Sequence, residues 1–198
     1  MPYDAVSELS DESLLVLYSN GDRVAARTLS QRHLPRVLAH AYRMLGDRAE
    51  AEDIAQEAML RLWKIAPDWR AGEAQVSTWL YRVVANLCTD RLRRRRSVGL
   101  DEAAEPEDET PSAGDRMQEA ERADALQAAL LQLPERQRSA VVLRHIEGLS
   151  NPEIAEVLEC SAEAVESLTA RGKRALTALL SGQRKDLGYT DDTVQTSY

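Results

Sequence analysis

The chain contains no phenylalanine, and aromatic residues make up only 5% of it. Leucine, valine and alanine must therefore fill any core it builds. Its two cysteines, Cys88 and Cys160, stand far apart with no pairing pattern. That excludes a disulfide scaffold and makes a reducing cytoplasm the simplest setting. No apolar stretch approaches the ~20 residues that a membrane span needs. The segment from Met1 to Ser10 carries acids and no apolar run, so it does not read as a signal peptide. A phosphate-binding glycine loop and a metal-spaced cluster are both missing. His33 and His40 are two helical turns apart and His145 is solitary, so surface or core positions suit them better than a metal pair. Catalytic residues, metal and cofactor are all expected to be none, which argues against an enzyme. No convincing strand pattern and no internal repeat occurs.

What is present favours helix: alanine, leucine, arginine and glutamate dominate, and 43% of residues are hydrophobic. At 198 residues the chain can hold one medium domain or two small ones. The net charge of −8 is unevenly spread. Residues 1–97 carry 15 basic and 13 acidic side chains, residues 98–121 one and nine, and residues 122–198 nine and eleven. The excess thus sits in one short segment, and the flanks are near neutral. Within them arginines cluster at Arg91, Arg93, Arg94, Arg95 and Arg96, then at Arg171, Lys173 and Arg174. Local clusters, not the sum, decide phosphate binding.

Residues 98–121 include Pro106, Pro111, Gly114 and an acidic run from Asp101 to Glu109. Such a segment buries little and repels itself, so an extended, flexible acidic linker is expected. The chain then divides into a first domain at 1–97, the linker at 98–121, a second domain at 122–182 and a polar tail at 183–198. The fold class expected is all-α, with two small helical domains. In the first, Leu14, Leu17 and Tyr18 keep one face apolar before the Asn20-Gly21-Asp22 turn. Leu34, Val37, Leu38, Ala41, Tyr42 and Leu45 recur at helical spacing up to Gly46, with Pro35 either starting a helix or kinking one. Asp47 and Glu50 read as a capped start for a stripe of Ala51, Ile54, Ala55, Ala58 and Leu62, which Pro67 ends. A loop at 67–76 holds Trp69, Arg70 and Gly72, and Ser77 can cap the next helix, with Leu80, Val83, Val84, Leu87 and Leu92 as its core stripe.

From about Pro134 to Leu180 three helices form a helix-turn-helix. Pro134 sits at a first-turn position and Val141, Val142 and Ile146 are the apolar side of the first helix. Ser150 or Asn151 caps a short helix ending at Leu158. Glu159-Cys160-Ser161 is the turn, although glutamate stands where glycine would ease it. The motif needs a small contact, supplied by Ala155, and anchors, supplied by Ile154, Leu158, Val165 and Leu168. The second helix of such a pair lies in the major groove. Its exposed candidates are Glu163, Ala164, Glu166, Ser167 and Thr169, with Arg171, Lys173 and Arg174 suited to phosphates. Glu163 and Glu166 can accept a bond from cytosine but repel the backbone.

Two motif sets carry a family resemblance. The run from Leu133 through Arg138, then Glu147-Gly148-Leu149-Ser150 and Glu153 through Leu158, resembles the DNA-binding domain of bacterial RNA polymerase sigma factors of the extracytoplasmic-function (ECF) group, in the sigma-70 family. Independently, Ala51 through Glu57, Ser77 through Leu87 and the basic end Asp90 through Arg94 resemble that family's region-two domain. The resemblance spans nearly all of residues 10–181.

It implies roles. Asp53, Gln56 and Glu57, with Leu60 and Trp63, would dock on the β′ subunit of core RNA polymerase; by spacing, Asp53, Gln56, Glu57, Leu60 and Lys64 share one face, which is also how a plain solvated face would look. Trp69, Arg70, Trp79, Arg82 and Asn86 would read the promoter −10 element as single-stranded DNA, a job that needs a base out of the stack. Arg91, Arg93, Arg94 and Arg95, and with them Arg96, would hold the backbone. Trp79 is equally consistent with a core role, Asn86 with satisfying a buried backbone group, and the arginines with solvating a helix end. The helix-turn-helix would read the −35 element as duplex. Many members carry Lys and Arg where this chain has Glu166 to Thr169, so its −35 sequence is expected to differ. The resemblance further implies polymerase β and β′ subunits, promoter DNA and an anti-sigma factor as partners, with no membrane span. It implies a cytoplasmic place of action, at the nucleoid when polymerase-bound. The alternative is a sigma-like decoy that binds polymerase or a regulator without reading promoters.

Overall fold

A computed structural model describes residues 8–70, 72, 74–98 and 115–181, the side chains of residues 98 and 115–120 excepted. Among them are eight α-helices, one short 3-10 turn and no strand: α1 (Asp11–Ser19), α2 (Arg23–Leu45), α3 (Arg48–Ile65), α4 (Val76–Val98), α5 (Asp115–Leu131), α6 (Glu135–His145), α7 (Asn151–Leu158) and α8 (Ala162–Ser181). The 3-10 turn, Ala66–Asp68, contains Pro67 and ends α3.

Helices α1 to α4 form the first unit. Ser10, Asp22 and Asp47 are its N-caps. Asp47 accepts from the Glu50 backbone N–H at 2.9 Å, satisfying one of the donors a helix start leaves open. The Glu50 side chain does not complete a capping box; it pairs with arginines of α4. Leu14, Leu15, Leu29, Met44, Leu62 and Leu80 are fully or almost fully buried in the core, each contributing about 1.5–3 kcal/mol by leaving water.

Helix α2 departs from its expected reading twice. It runs unbroken through Pro35. Pro35 and Gln31 are both exposed, so the carbonyl left without its helical donor faces solvent. The buried stripe is also rotated: Leu34 and Tyr42 are 37% and 39% exposed, while His33 and His40 are buried beside Val37, Ala41 and Met44. His33 is held by Asp11 at 2.7 Å, so a polar partner lets a histidine take a core position that periodicity gives to leucine. Helix α4 begins at Val76, so Ser77 lies inside its first turn and is not the cap.

Helices α5 to α8 form the second unit around Leu130, Leu133, Val141 and Val142. Helix α5 takes in residues 115–121, which the composition assigns to the linker. The rest of that expectation, residues 99–114, and the tail at 183–198 lie outside the described residues. Ser150 caps α7 in a full capping box with Glu153, and Glu159 closes it in the left-handed region at φ 50°. The anchors are Ile154, Val157 and Val165, all buried; Ala155, Leu158 and Leu168 are half-buried and Ile146 is 37% exposed. Val157, not its larger neighbour Leu158, is the buried anchor at the end of α7. Gly172 lets α8 cross α6 closely: a Cβ there would lie 2.6 Å from Val141 Cγ2.

The two units touch extensively. Tyr81 and Ala85 of α4 are buried in a common cluster with Leu143, Leu149, Ile154, Val157 and Val165. Helix α4 is thus covered on one side by its own unit and on another by α7.

Candidate nucleic-acid interface

Helix α4 organises the site. Its i, i+3, i+4 spacing places Trp79, Arg82, Asn86 and Asp90 along one side. Near its start, Trp79 meets Trp69 edge-to-face with centroids 6.0 Å apart. With Arg70, Arg82, Asp68 and Ile65 they line an open cleft of about 470 Å³. The Trp69 indole N–H is buried and has no hydrogen-bond partner among the described residues. The cleft offers π faces and cations together. Trp79 belongs to both of its readings: half-buried, it packs against the core and forms the cleft wall.

Asn86 is exposed. No hydrogen bond of its side chain occurs among the described residues, so it does not satisfy a buried backbone group. It opens onto a second, smaller cleft of about 200 Å³ shared with Thr89, Glu135, Leu158 and Glu159. The two clefts flank α7, whose Glu156 approaches Arg82 at 4.0 Å.

The arginine end of α4 divides. Arg95 pairs with Glu50 at 2.6 Å and with Asp47 at 3.6 Å, and donates to the Leu45 carbonyl. Arg91 reaches Glu50 at 3.5 Å. These two tie α4 to the start of α3, a structural role the sequence cluster does not reveal. Arg96 pairs with Glu135 of α6 at 2.7 Å. Among the described residues Arg93 makes only an exposed i, i+3 pair with Asp90, and Arg94 is exposed; of the cluster, these two are not used in holding α4 to other helices.

On α3, Asp53, Gln56, Glu57 and Leu60 are exposed, Leu60 at 62%. A single exposed leucine amid polar residues is equally ordinary on a solvated face. Trp63 sits at the edge of that face and packs on Tyr18 with centroids 4.7 Å apart. Glu57 pairs with Arg61 at 2.8 Å on the surface.

On α8, Glu166, Ser167, Arg171, Lys173 and Arg174 are exposed. Glu163 is exposed too, but hydrogen bonds from its own backbone N–H and from Ser161 hold its carboxyl below the usual range; it serves the helix start. Ala164 and Thr169 are half-buried, and the Thr169 hydroxyl is buried without a partner among the described residues, so Thr169 is turned away from a groove. Asn151 donates to Glu166 at 3.4 Å.

The residues that join the units fall within the motif runs, but nothing in the sequence marks them as partners of one another. Glu147, in the α6–α7 turn, accepts from Tyr81 Oη at 2.5 Å and from Arg43 at 3.3 Å. Burial, then Glu147, pushes the Tyr81 phenol well above its ordinary value. Arg138 of α6 donates to the Met44 carbonyl of α2 and, at 3.3 Å, to the Leu131 and Leu133 carbonyls. Burial pushes the Cys88 thiol up to about 12, which makes it an inert core group. No group of three metal-ligating side chains occurs among the described residues, and no described helix is long and apolar enough to cross a membrane.

Comparison with known proteins agrees with this layout. The sigma-70 region 2 family model matches residues 29–98 and the sigma-70 region 4 model residues 123–176. The chain is 40% identical over 174 residues to the ECF RNA polymerase sigma factor SigM of Mycobacterium tuberculosis, covering 87% of this chain and 86% of that one. It is 31% identical to SigW of Bacillus subtilis, covering 79% and 89%. Among solved structures it resembles CnrH in complex with the cytosolic domain of CnrY, with a TM-score of 0.64, 28% identity and coverage of 87% and 97%. The fold is also that of RpoE from Bartonella quintana, solved with the anti-sigma factor NepR, with a TM-score of 0.63, 22% identity and coverage of 78% and 96%. A helix-turn-helix unit, a tryptophan-walled cleft beside an arginine-rich helix, and both family models in that order place this chain in the ECF RNA polymerase sigma factors, non-enzymatic transcription initiation factors of the sigma-70 family.

Proposed function

We propose that this chain docks on core RNA polymerase through the exposed α3 face of Asp53, Gln56, Glu57 and Leu60, opens the promoter −10 element on α4, and reads the −35 element as duplex with α8. The observation that carries the −10 assignment is the cleft between Trp69 and Trp79 with Arg70 and Arg82 at its edge. A flipped base stacks on such rings for about 1–3 kcal/mol. The unengaged Asn86 amide offers one donor and one acceptor to a base edge, and Arg93 and Arg94 lie about two turns further on, in reach of the strand's phosphates.

On α8, Glu166 and Ser167 are the base-edge candidates and Arg171, Lys173 and Arg174 the phosphate contacts. Residues 98–121, or the part of them that links α4 to α5, act as a tether, so one bound unit raises the effective concentration of the other. Polymerase supplies the chemistry and the metal; this chain is not itself an enzyme. It acts in the cytoplasm and at the nucleoid when polymerase-bound. An anti-sigma factor controls it, a reading supported by the solution of the similar protein CnrH with the cytosolic domain of a second protein. Run-off transcription with core polymerase across a promoter library tests the function: start sites that depend on the chain are expected, and their complete absence would sink it.

A further inference from the structure

Helix α8 carries two acids near its start, and they are used differently. Glu163 is spent on the helix start through its own backbone N–H and Ser161. Glu166, one turn further on, is exposed and makes no ion pair among the described residues. Exposed glutamates elsewhere in the molecule are paired on their own helix: on α3, Glu52 meets Arg48 and Glu57 meets Arg61, each four residues apart. Helix α8 offers Glu166 nothing of the kind. The positions three and four residues on, where a pairing cation would stand, are Thr169 and Ala170. Arg171 is turned along its own helix, donating through Nε to the Ser167 carbonyl at 3.2 Å.

The partner that Glu166 does have comes from the preceding helix. Asn151 Nδ2 donates to Glu166 Oε1 at 3.4 Å. Asn151 is the first residue of α7, directly after the Ser150–Glu153 capping box, so it reaches across from a fixed point. The contact occupies one carboxylate oxygen and orients the group. Oε2 has no partner among the described residues and remains a single acceptor on the outer face of α8.

A carboxylate in a major groove is repelled by the phosphates on either side, and only a hydrogen bond donated by a base edge offsets that. The groove presents two such donors, cytosine N4 and adenine N6, whereas guanine and thymine present acceptors. Adenine places its N7 acceptor beside N6, which opposes an acceptor-only group; cytosine has only a C–H beside N4. We propose that Glu166, oriented by Asn151, is a specificity-determining residue that makes α8 select cytosine at one position of the −35 duplex. This inference rests on the −35 reading given to α8 above. Its effect is on selectivity rather than affinity: over a wrong base the carboxylate faces acceptors and phosphates with nothing in return.

The test uses holoenzyme assembled from core polymerase and the full chain, selected on duplexes randomised across the −35 region. Gel shifts on a set of duplexes that differ only at the selected position then give the preference there. The wild-type chain is expected to favour cytosine over guanine or thymine at one position by about tenfold. Glu166→Gln supplies a donor beside the acceptor, and is expected to move the preference at that position to adenine, which glutamine meets at N6 and N7 together. Glu166→Ala is expected to erase the preference there alone and to tighten binding to every other sequence, because a charge that repels phosphates has gone. Asn151→Ala is expected to narrow the cytosine preference without moving it to another base. The same base preferences in the wild type and both Glu166 variants would overturn the proposal and leave α8 as the −35 reader. A preference for guanine or thymine at the position that Glu166→Ala alters would overturn it too. A wild-type holoenzyme with no −35 preference at any position would remove the α8 reading itself, and the proposal with it.

Discussion

Helices α4 and α8 carry this protein's two sets of candidate DNA contacts, and they are presented in opposite ways. Helix α8 turns Glu166, Ser167, Arg171, Lys173 and Arg174 to solvent. Helix α4 holds its Trp69–Trp79 cleft and Asn86 on either side of α7, with Arg82 and Arg96 engaged by Glu156 and Glu135. The difference matches the state of DNA each would meet. Duplex is always available, and an open duplex-reading face costs nothing. Single-stranded DNA exists at a promoter only once polymerase is present, and Arg82 at the cleft already faces the Glu156 carboxylate at 4.0 Å.

The largest expected effects break the comparison at α4. Asn86→Ala removes the free amide, and in holoenzyme it is expected to cut promoter opening about tenfold or more, as the loss of a base-edge contact worth about 1–3 kcal/mol would; duplex binding through α8 should be unchanged in a gel-shift assay. Lys173→Ala is the converse. It should weaken duplex binding about equally on all sequences and lower the salt slope by about 1.

Gly172→Ala tests what holds α8 in place. The added Cβ would meet Val141 Cγ2 at 2.6 Å and the Gln137 carbonyl oxygen at 3.0 Å, and overpacking of this kind costs about 1–3 kcal/mol. Urea unfolding monitored by circular dichroism should show the loss.

His40 tests the covered side. It is fully buried on α2, faces the Tyr81 ring edge-on and has no partner for either ring nitrogen among the described residues. Burial, with Arg43 adding to it, pushes its pKa down to about 3 from an ordinary 6.5. Below that ordinary value the unfolded chain takes up a proton that the folded chain refuses. Stability is therefore fully present above about pH 6.5 and falls as pH drops from there towards 3, by up to about 1.4 kcal/mol per pH unit. His40→Leu should flatten that part of the stability curve between pH 6.5 and 4.5 in urea titrations.

The smallest effect concerns the turn between the covering helix and the open one. Glu159 holds φ at 50°, which glycine adopts without strain. Glu159→Gly is expected to stabilise the chain by up to about 1 kcal/mol in the same assay.

How far these features can be read from sequence depends on how local their causes are. The caps at Asp47 and Ser150, the stop at Gly46 and the awkward turn at Glu159 involve neighbours within a few residues, and all are legible. The stripe of α2 is not, because His33 and His40 become core residues only through Asp11 and Tyr81, partners distant along the chain. The arginine cluster misleads for the same reason: Arg91 and Arg95 are spent on Glu50, more than 40 residues earlier. Asn86 and the two tryptophans stand out by type within an apolar pattern, whereas Glu147, although it opens a motif, gives no sign of its partners until Arg36 and Arg43, over 100 residues away, are folded against it.

The most direct test of the account is permanganate reactivity of thymines around the −10 element of a promoter that the wild-type holoenzyme uses. With the wild-type chain those thymines should become reactive, and with Asn86→Ala they should stay protected while −35 occupancy persists. Equal reactivity with both proteins would contradict the assignment of α4 as the strand-reading helix.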